Sequence, residues 1–149
     1  MRLFELIGDW LLTTPLLEMA MDRRRAKDKV TDLSPQIYTH LLKLFVVNSP
    51  ENHHWQSEIN AWLGLIDDIR FKHNHKKLDF ETGYNWFMFD AAPHYDEVFL
   101  DNRIKKFHRE GYKLNEVDPA FVLNKIADIV QRVFKDIENN KFDGVDAYL

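Results

Sequence analysis

The chain has 149 residues, of which 45% are hydrophobic and 30% charged, and this composition excludes a largely disordered chain. The formal net charge of −4 excludes the global basic field that drives nonspecific nucleic-acid binding. The sequence contains no cysteine, which excludes disulfides, thiolate zinc sites and cysteine nucleophiles. We therefore expect a single domain over 1–149 in the reducing cytoplasm.

Proline marks the predicted helix starts. A proline suits the first helical turn because its missing N–H would be unpaired there, and a preceding Ser, Thr or Asp can cap the free amides. Four of the five prolines have this context: Thr14-Pro15, Ser34-Pro35, Ser49-Pro50 and Asp118-Pro119. Pro93 follows Ala92 and shows a weaker version of the same signal. Five glycines are too few for an all-β protein full of tight turns.

Helical periodicity extends these starts into predicted helices near 2–12, 15–29, 35–47, 51–71, 80–89, 93–109 and 119–138. Acidic residues interrupt the apolar N-terminal stretch, which is shorter than the ~18 apolar residues of a membrane span. We therefore expect a buried helix there and no membrane contact, and the alternative is an amphipathic helix at a membrane surface. The short loops predict an all-α fold, a compact bundle or irregular array of six to seven helices. Residues 139–149 are predicted to form an irregular or docked tail.

A basic run at 70–77 contains Arg70 and His75, with four residues between them. This spacing resembles the Arg-x4-6-His signature of HEPN-type helical domains, although Phe71 stands where that family usually has a polar residue. The resemblance implies a metal-independent ribonuclease in which Arg70 stabilises phosphate charge and His75 moves a proton. The two side chains can converge only if the helix breaks between them, because five helical positions turn them about 140° apart. The alternative is a basic helix end that the helix dipole stabilises.

A second candidate is a metal site. His54 and Glu58 lie four residues apart, which places both side chains on one helix face as two ligands to one metal ion. Asp67, Asp68 or a histidine of the basic run would have to complete that site. The alternative is a His–Glu pair in the first turns of a helix. Apart from this candidate metal, we expect no cofactor.

An aromatic stretch follows the basic run. Its candidate partner-binding residues are Tyr84, Trp86, Phe87, Phe89 and Tyr95. Aromatic side chains dominate the energetics of protein interfaces, but they are also typical of a helical core, and beside basic residues they can stack on nucleic-acid bases. The favoured hypothesis is a non-enzymatic interaction or regulatory protein, of adaptor or immunity type. Its partner would be another protein or a second copy of the chain, with nucleic-acid binding through 70–77 less favoured.

Overall fold

The computed structural model describes residues 15–72 and 75–149, so the helix predicted over 2–12 lies outside the described residues. The described chain forms five α-helices: α1 (Pro15–Val46), α2 (Asn52–Asp67), α3 (Phe80–Asn85), α4 (Glu97–Arg109) and α5 (Pro119–Glu138). A π-helical turn (Trp86–Asp90) continues α3, and a 3-10 turn (Val145–Tyr148) lies near the C-terminus. The predicted all-α class is confirmed. The predicted count of six to seven helices was slightly too high for the described residues.

The largest correction concerns Ser34-Pro35, which lies inside α1 rather than at a helix start. Ser34 does not cap a helix, because its hydroxyl is fully buried and donates to the carbonyl oxygen of Phe87 at 2.6 Å. A proline inside a helix removes one backbone hydrogen bond and costs about 3 kcal/mol. The helix nevertheless continues, since Val30 and Tyr38 on either side of the proline are both buried in the core. The helices predicted separately before and after this proline are therefore one.

Of three other predicted helix boundaries, one is confirmed and two are shifted. Asp118 caps α5 as predicted, because its carboxylate accepts a hydrogen bond from the N–H of Ala120 at 3.3 Å. The helix predicted over 51–71 is shorter, since α2 ends at Asp67. The helix predicted from 93 begins only at Glu97, where Asp96 accepts from the N–H of Phe99 at 2.9 Å.

One hydrophobic core cluster joins the five helices. The first two helices pack against each other, and α3 packs against α5. The latter two approach closely at Gly83 in α3, where an added Cβ atom would lie 2.6 Å from a ring carbon of Phe134 in α5 and 2.9 Å from a methyl group of Leu78. Only glycine fits this contact without displacing core side chains.

The tail docks on the helices. Val145 and Tyr148 are buried, and the N–H of Val145 donates to the side chain of Asn60 in α2 at 2.7 Å. The Tyr148 hydroxyl donates to the carboxylate of Asp136 in α5. Within the part of the chain that the structure describes, no helix is both long enough and apolar enough to cross a membrane.

Candidate functional site

The fold divides the aromatic stretch into an inner and an outer set. Trp86 is 5% exposed and Phe87 is 0% exposed, and Phe87 packs edge-to-face on Phe134 with ring centroids 5.7 Å apart. Both were predicted to contact a partner, but in this fold both belong to the core. Arg23 lies over the Trp86 ring at 5.3 Å, which further ties this side chain to α1.

Tyr95 also holds the fold together. Its ring stacks on that of Tyr38 with centroids 3.8 Å apart. The single hydrogen of the Ser34 hydroxyl goes to the Phe87 carbonyl, so the Tyr95 hydroxyl, 2.5 Å away, donates to Ser34. Burial raises the pKa of Tyr95 to about 12. This tyrosine therefore joins α1 to the segment before α4 and offers little of its surface to a partner.

The outer set forms a row of three aromatic rings, Phe80, Tyr84 and Phe89, which we call the aromatic ladder. The rings of Phe80 and Tyr84 stack with centroids 5.7 Å apart, and Tyr84 meets Phe89 edge-to-face at 6.0 Å. Phe89 is 60% exposed, while Phe80 and Tyr84 are half-buried against the core. Partial burial raises the pKa of Tyr84 above its ordinary value. The ladder is thus a continuous aromatic surface with a fixed base.

The π-helical turn explains why the ladder is continuous. In a regular α-helix, residues five apart point about 140° away from each other, so Tyr84 and Phe89 would not meet. A π-helix closes its hydrogen bonds between residues i and i+5, and it therefore turns residues five apart toward the same side. The widened turn over Trp86–Asp90 accordingly places Phe89 beside Tyr84 while Trp86 stays in the core.

Charged side chains lie at both ends of the ladder. The ammonium group of Lys135 in α5 lies over the Phe80 ring at 5.3 Å. At the other end, Asp90 forms an ion pair with Lys27 of α1 at 3.2 Å, and both side chains are exposed. An apolar centre with a polar rim is the usual arrangement of a protein interface.

Arg70 lies beyond the end of α2 and pairs with Lys77 in an isolated antiparallel bridge. Its Nη1 donates to the carbonyl oxygens of Asp67 at 2.7 Å and Ile69 at 3.1 Å. The guanidinium therefore stabilises the carboxyl end of α2, as the alternative to a catalytic role predicted. Its other guanidinium nitrogens make no hydrogen bond or ion pair with the part of the chain that the structure describes.

His75 lies in the loop that this bridge closes. Its backbone has a φ of 52°, in the left-handed region, and its N–H donates to the carbonyl oxygen of Phe71 at 2.8 Å. The imidazole is exposed to solvent. The helix does end before Arg70, which removes the obstacle to convergence. Joint action of Arg70 and His75 on a phosphate stays a prediction.

The predicted pair His54 and Glu58 does form, with the histidine Nε2 3.0 Å from the carboxylate. A residue that the sequence did not single out, His40 of α1, places its Nε2 2.6 Å from the other oxygen of Glu58. The Nδ1 of His40 faces the carbonyl oxygen of Gln36 at 2.9 Å. Glu58 therefore links α1 to α2. Over residues 15–72 and 75–149, no group of three or more potential ligands is arranged to hold a metal ion, and metal binding stays a prediction.

Comparison of the chain with protein-family models, with curated proteins and with solved structures gave no match. The function of this chain is therefore inferred from its own residues.

Proposed function

We propose that this protein is a non-enzymatic interaction protein whose partner surface is the aromatic ladder of Phe80, Tyr84 and Phe89. The observation that carries the proposal is the exposure of Phe89, 60%, at the end of a continuous row of rings. Scattered exposed apolar residues are ordinary, but three aromatic rings in contact form a patch, and such patches mark binding sites in soluble proteins.

The ladder is held rigidly from beneath. Phe89 follows Trp86, Phe87 and Met88, which are all buried, so the backbone that carries it cannot shift without opening the core. An aromatic side chain on such a backbone loses little conformational entropy when a partner covers it. Binding energy at the ladder is therefore not spent on ordering the segment.

The residue types also support a protein partner. Tyr and Phe are enriched in the centres of protein interfaces, and the charges of Lys135 and the Lys27–Asp90 pair lie at the margin, where charged groups belong. The rim carries both signs of charge, which suits a protein surface better than the uniformly negative backbone of a nucleic acid.

The chain offers a matched control for the test. Phe121 of α5 is 61% exposed and lies outside the ladder, so it differs from Phe89 in neighbours rather than in size or exposure. A photoreactive phenylalanine analogue at position 89 or at position 121, in cells that express the protein naturally, would trap whatever covers each ring. We expect a specific cross-linked species from position 89, to another protein or to a second copy, and none from position 121.

A second substitution makes the experiment decisive. Tyr84→Ala removes the middle ring of the ladder, and it should abolish the cross-link from position 89 while leaving the fold intact by circular dichroism. Equal cross-linking from positions 89 and 121, or a cross-link that survives Tyr84→Ala, would overturn the proposal.

A further inference from the structure

A second surface lies on another side of α1, away from the ladder. A cleft of about 260 Å³ separates α1 from the chain that follows α2. Its charged lining consists of four basic and two acidic side chains, Arg25, Lys29, Arg70, Lys72, Asp22 and Asp68. Two basic runs that are distant in the sequence, 23–29 of α1 and 70–77, therefore meet here. The cleft carries an excess of two positive charges in a chain whose formal net charge is −4.

The fold holds the two walls in a defined position. The carboxylate of Asp22 on α1 accepts a hydrogen bond from the backbone N–H of Lys72 at 3.0 Å. Ala26 and Ile69 are buried between the walls. The hydrogen bonds from Nη1 of Arg70 to two backbone carbonyls hold its guanidinium at the C-terminal end of α2. The basic residues therefore belong to two walls that the fold holds in a fixed relative position.

The basic residues of α1 point to two different sides of the helix. Arg23 and Lys27 face the π turn, where they contact the Trp86 ring and the Asp90 carboxylate. Arg25 and Lys29 lie four residues apart and line the cleft. Neither belongs to an ion pair among the residues that the structure describes. Folding accounts for the first two cations, and the second two remain available to a ligand.

We propose that this cleft binds a phosphate monoester that also carries hydroxyl groups, as a nucleotide does. An excess of two positive charges matches a phosphate monoester, which carries about −1.5 to −2 at neutral pH. Arginine can hold two phosphate oxygens at once, and lysine supplies a mobile point charge. The carboxylates of Asp22 and Asp68 cannot bind phosphate, but they accept hydrogen bonds from sugar hydroxyls.

The size of the cleft limits the ligand. Pockets for drug-sized molecules occupy about 300–1,000 Å³, so a cleft of about 260 Å³ holds one small charged group with its sugar. The ligand is therefore either a free nucleotide or the phosphorylated 5′ end of a nucleic-acid strand. His75 does not line the cleft, and the proposal concerns binding without cleavage.

The proposal is tested by calorimetric titration of the full chain with four probes. These are AMP, adenosine, a 5′-phosphorylated oligoribonucleotide and its 5′-hydroxyl counterpart. We expect each phosphorylated probe that fits to bind at least about tenfold more tightly than its unphosphorylated counterpart, because a charged hydrogen bond contributes that much. Binding of AMP identifies a free nucleotide as ligand, and binding of the 5′-phosphorylated oligoribonucleotide alone identifies a strand end. The double variant Arg25→Gln/Arg70→Gln should weaken that binding at least about tenfold.

The matched control is Lys113→Gln/Lys141→Gln, which removes the same charge at two exposed lysines outside the cleft. It should change the affinity less than about twofold, since distant surface charges are screened. Three results would each overturn the proposal: no binding of either phosphorylated probe, binding of the phosphorylated probes no tighter than that of their unphosphorylated counterparts, or equal weakening by the control variant. Tighter binding of a glutamate-rich peptide than of AMP would also overturn it and indicate an acidic protein ligand.

Discussion

The inner and outer aromatic side chains of residues 80–90 have the same chemistry but lie in different environments. Phe87 is fully buried and touches Phe134, whereas Phe89, two residues later, is 60% exposed and touches only the edge of Tyr84 among described aromatic rings. The difference arises from the π turn and from the helices that cover one of its sides. Residue type alone therefore does not separate core from exposed surface, while the backbone that carries the residue does.

The largest expected effect is the contrast between Phe87→Ala and Phe89→Ala. Truncation of a fully buried phenylalanine leaves a cavity and costs about 3–5 kcal/mol of unfolding free energy. Loss of the exposed Phe89 ring should cost about 1 kcal/mol or less, because it removes little buried area. Urea denaturation of the two variants measures both values. Similar losses would show that Phe89 is part of the core.

A pair of glycines tests how tightly the inner side is packed. Gly83→Ala would press a methyl group on Phe134 and Leu78, and overpacking of this kind costs about 1–3 kcal/mol. Gly64→Ala in α2 meets no atom within 4 Å and should stabilise the protein by about 0.5–1 kcal/mol, since alanine favours a helix. Thermal unfolding distinguishes them by sign. A neutral Gly83→Ala would show that α3 is free to move away from α5.

Ser34→Ala tests the polar contact that fixes the inner side to α1. The variant leaves the buried carbonyl of Phe87 without its donor and the Tyr95 hydroxyl without its acceptor. An unsatisfied buried group costs about 1–3 kcal/mol. Unfolding free energies measured for Ser34→Ala and for Tyr95→Phe, which should lose less, check this expectation. No loss in Ser34→Ala would mean that packing alone holds α1 to the π turn.

Burial of Tyr95 makes stability depend on alkaline pH, because it raises the pKa of the hydroxyl. The pKa of Tyr95 is about 12 in the folded protein and about 10 when unfolded, so the folded state holds the proton more tightly. Its contribution is complete below about pH 10 and is lost as the pH rises toward 12. Unfolding free energies between pH 9 and about 11.5 should therefore fall less steeply in Tyr95→Phe than in the wild type. Parallel curves would contradict the assigned shift.

Local sequence signals predicted part of the fold correctly. The apolar spacing indicated helices, and Asp118-Pro119 marked the start of α5 because the Asp118 carboxylate there is exposed and free to cap. Ser34-Pro35 carries the same local signal but lies inside α1, because Ser34 is buried against the Phe87 carbonyl, 53 residues away. No short-range pattern contains such a contact, so the two prolines could not be told apart.

The candidate sites show the same limit. Phe80 and Tyr84 lie four residues apart, a spacing from which their contact could have been predicted. The contact of Tyr84 with Phe89 requires a π turn, which no local sequence pattern indicates. His40 joins Glu58 from a different helix. The meeting of Arg25 with Arg70 across the cleft likewise depends on how α1 crosses the end of α2.

The central claim is that the outer rings bind a partner while the inner rings hold the fold. Once the species cross-linked at position 89 is identified, its affinity for Phe89→Ala and for the matched Phe121→Ala gives the most direct measurement. We predict that Phe89→Ala weakens binding by about tenfold or more, as loss of an aromatic hot spot does, and that Phe121→Ala changes it less than about twofold. An affinity of Phe89→Ala within about twofold of the wild type, or an equal loss in Phe121→Ala, would contradict it.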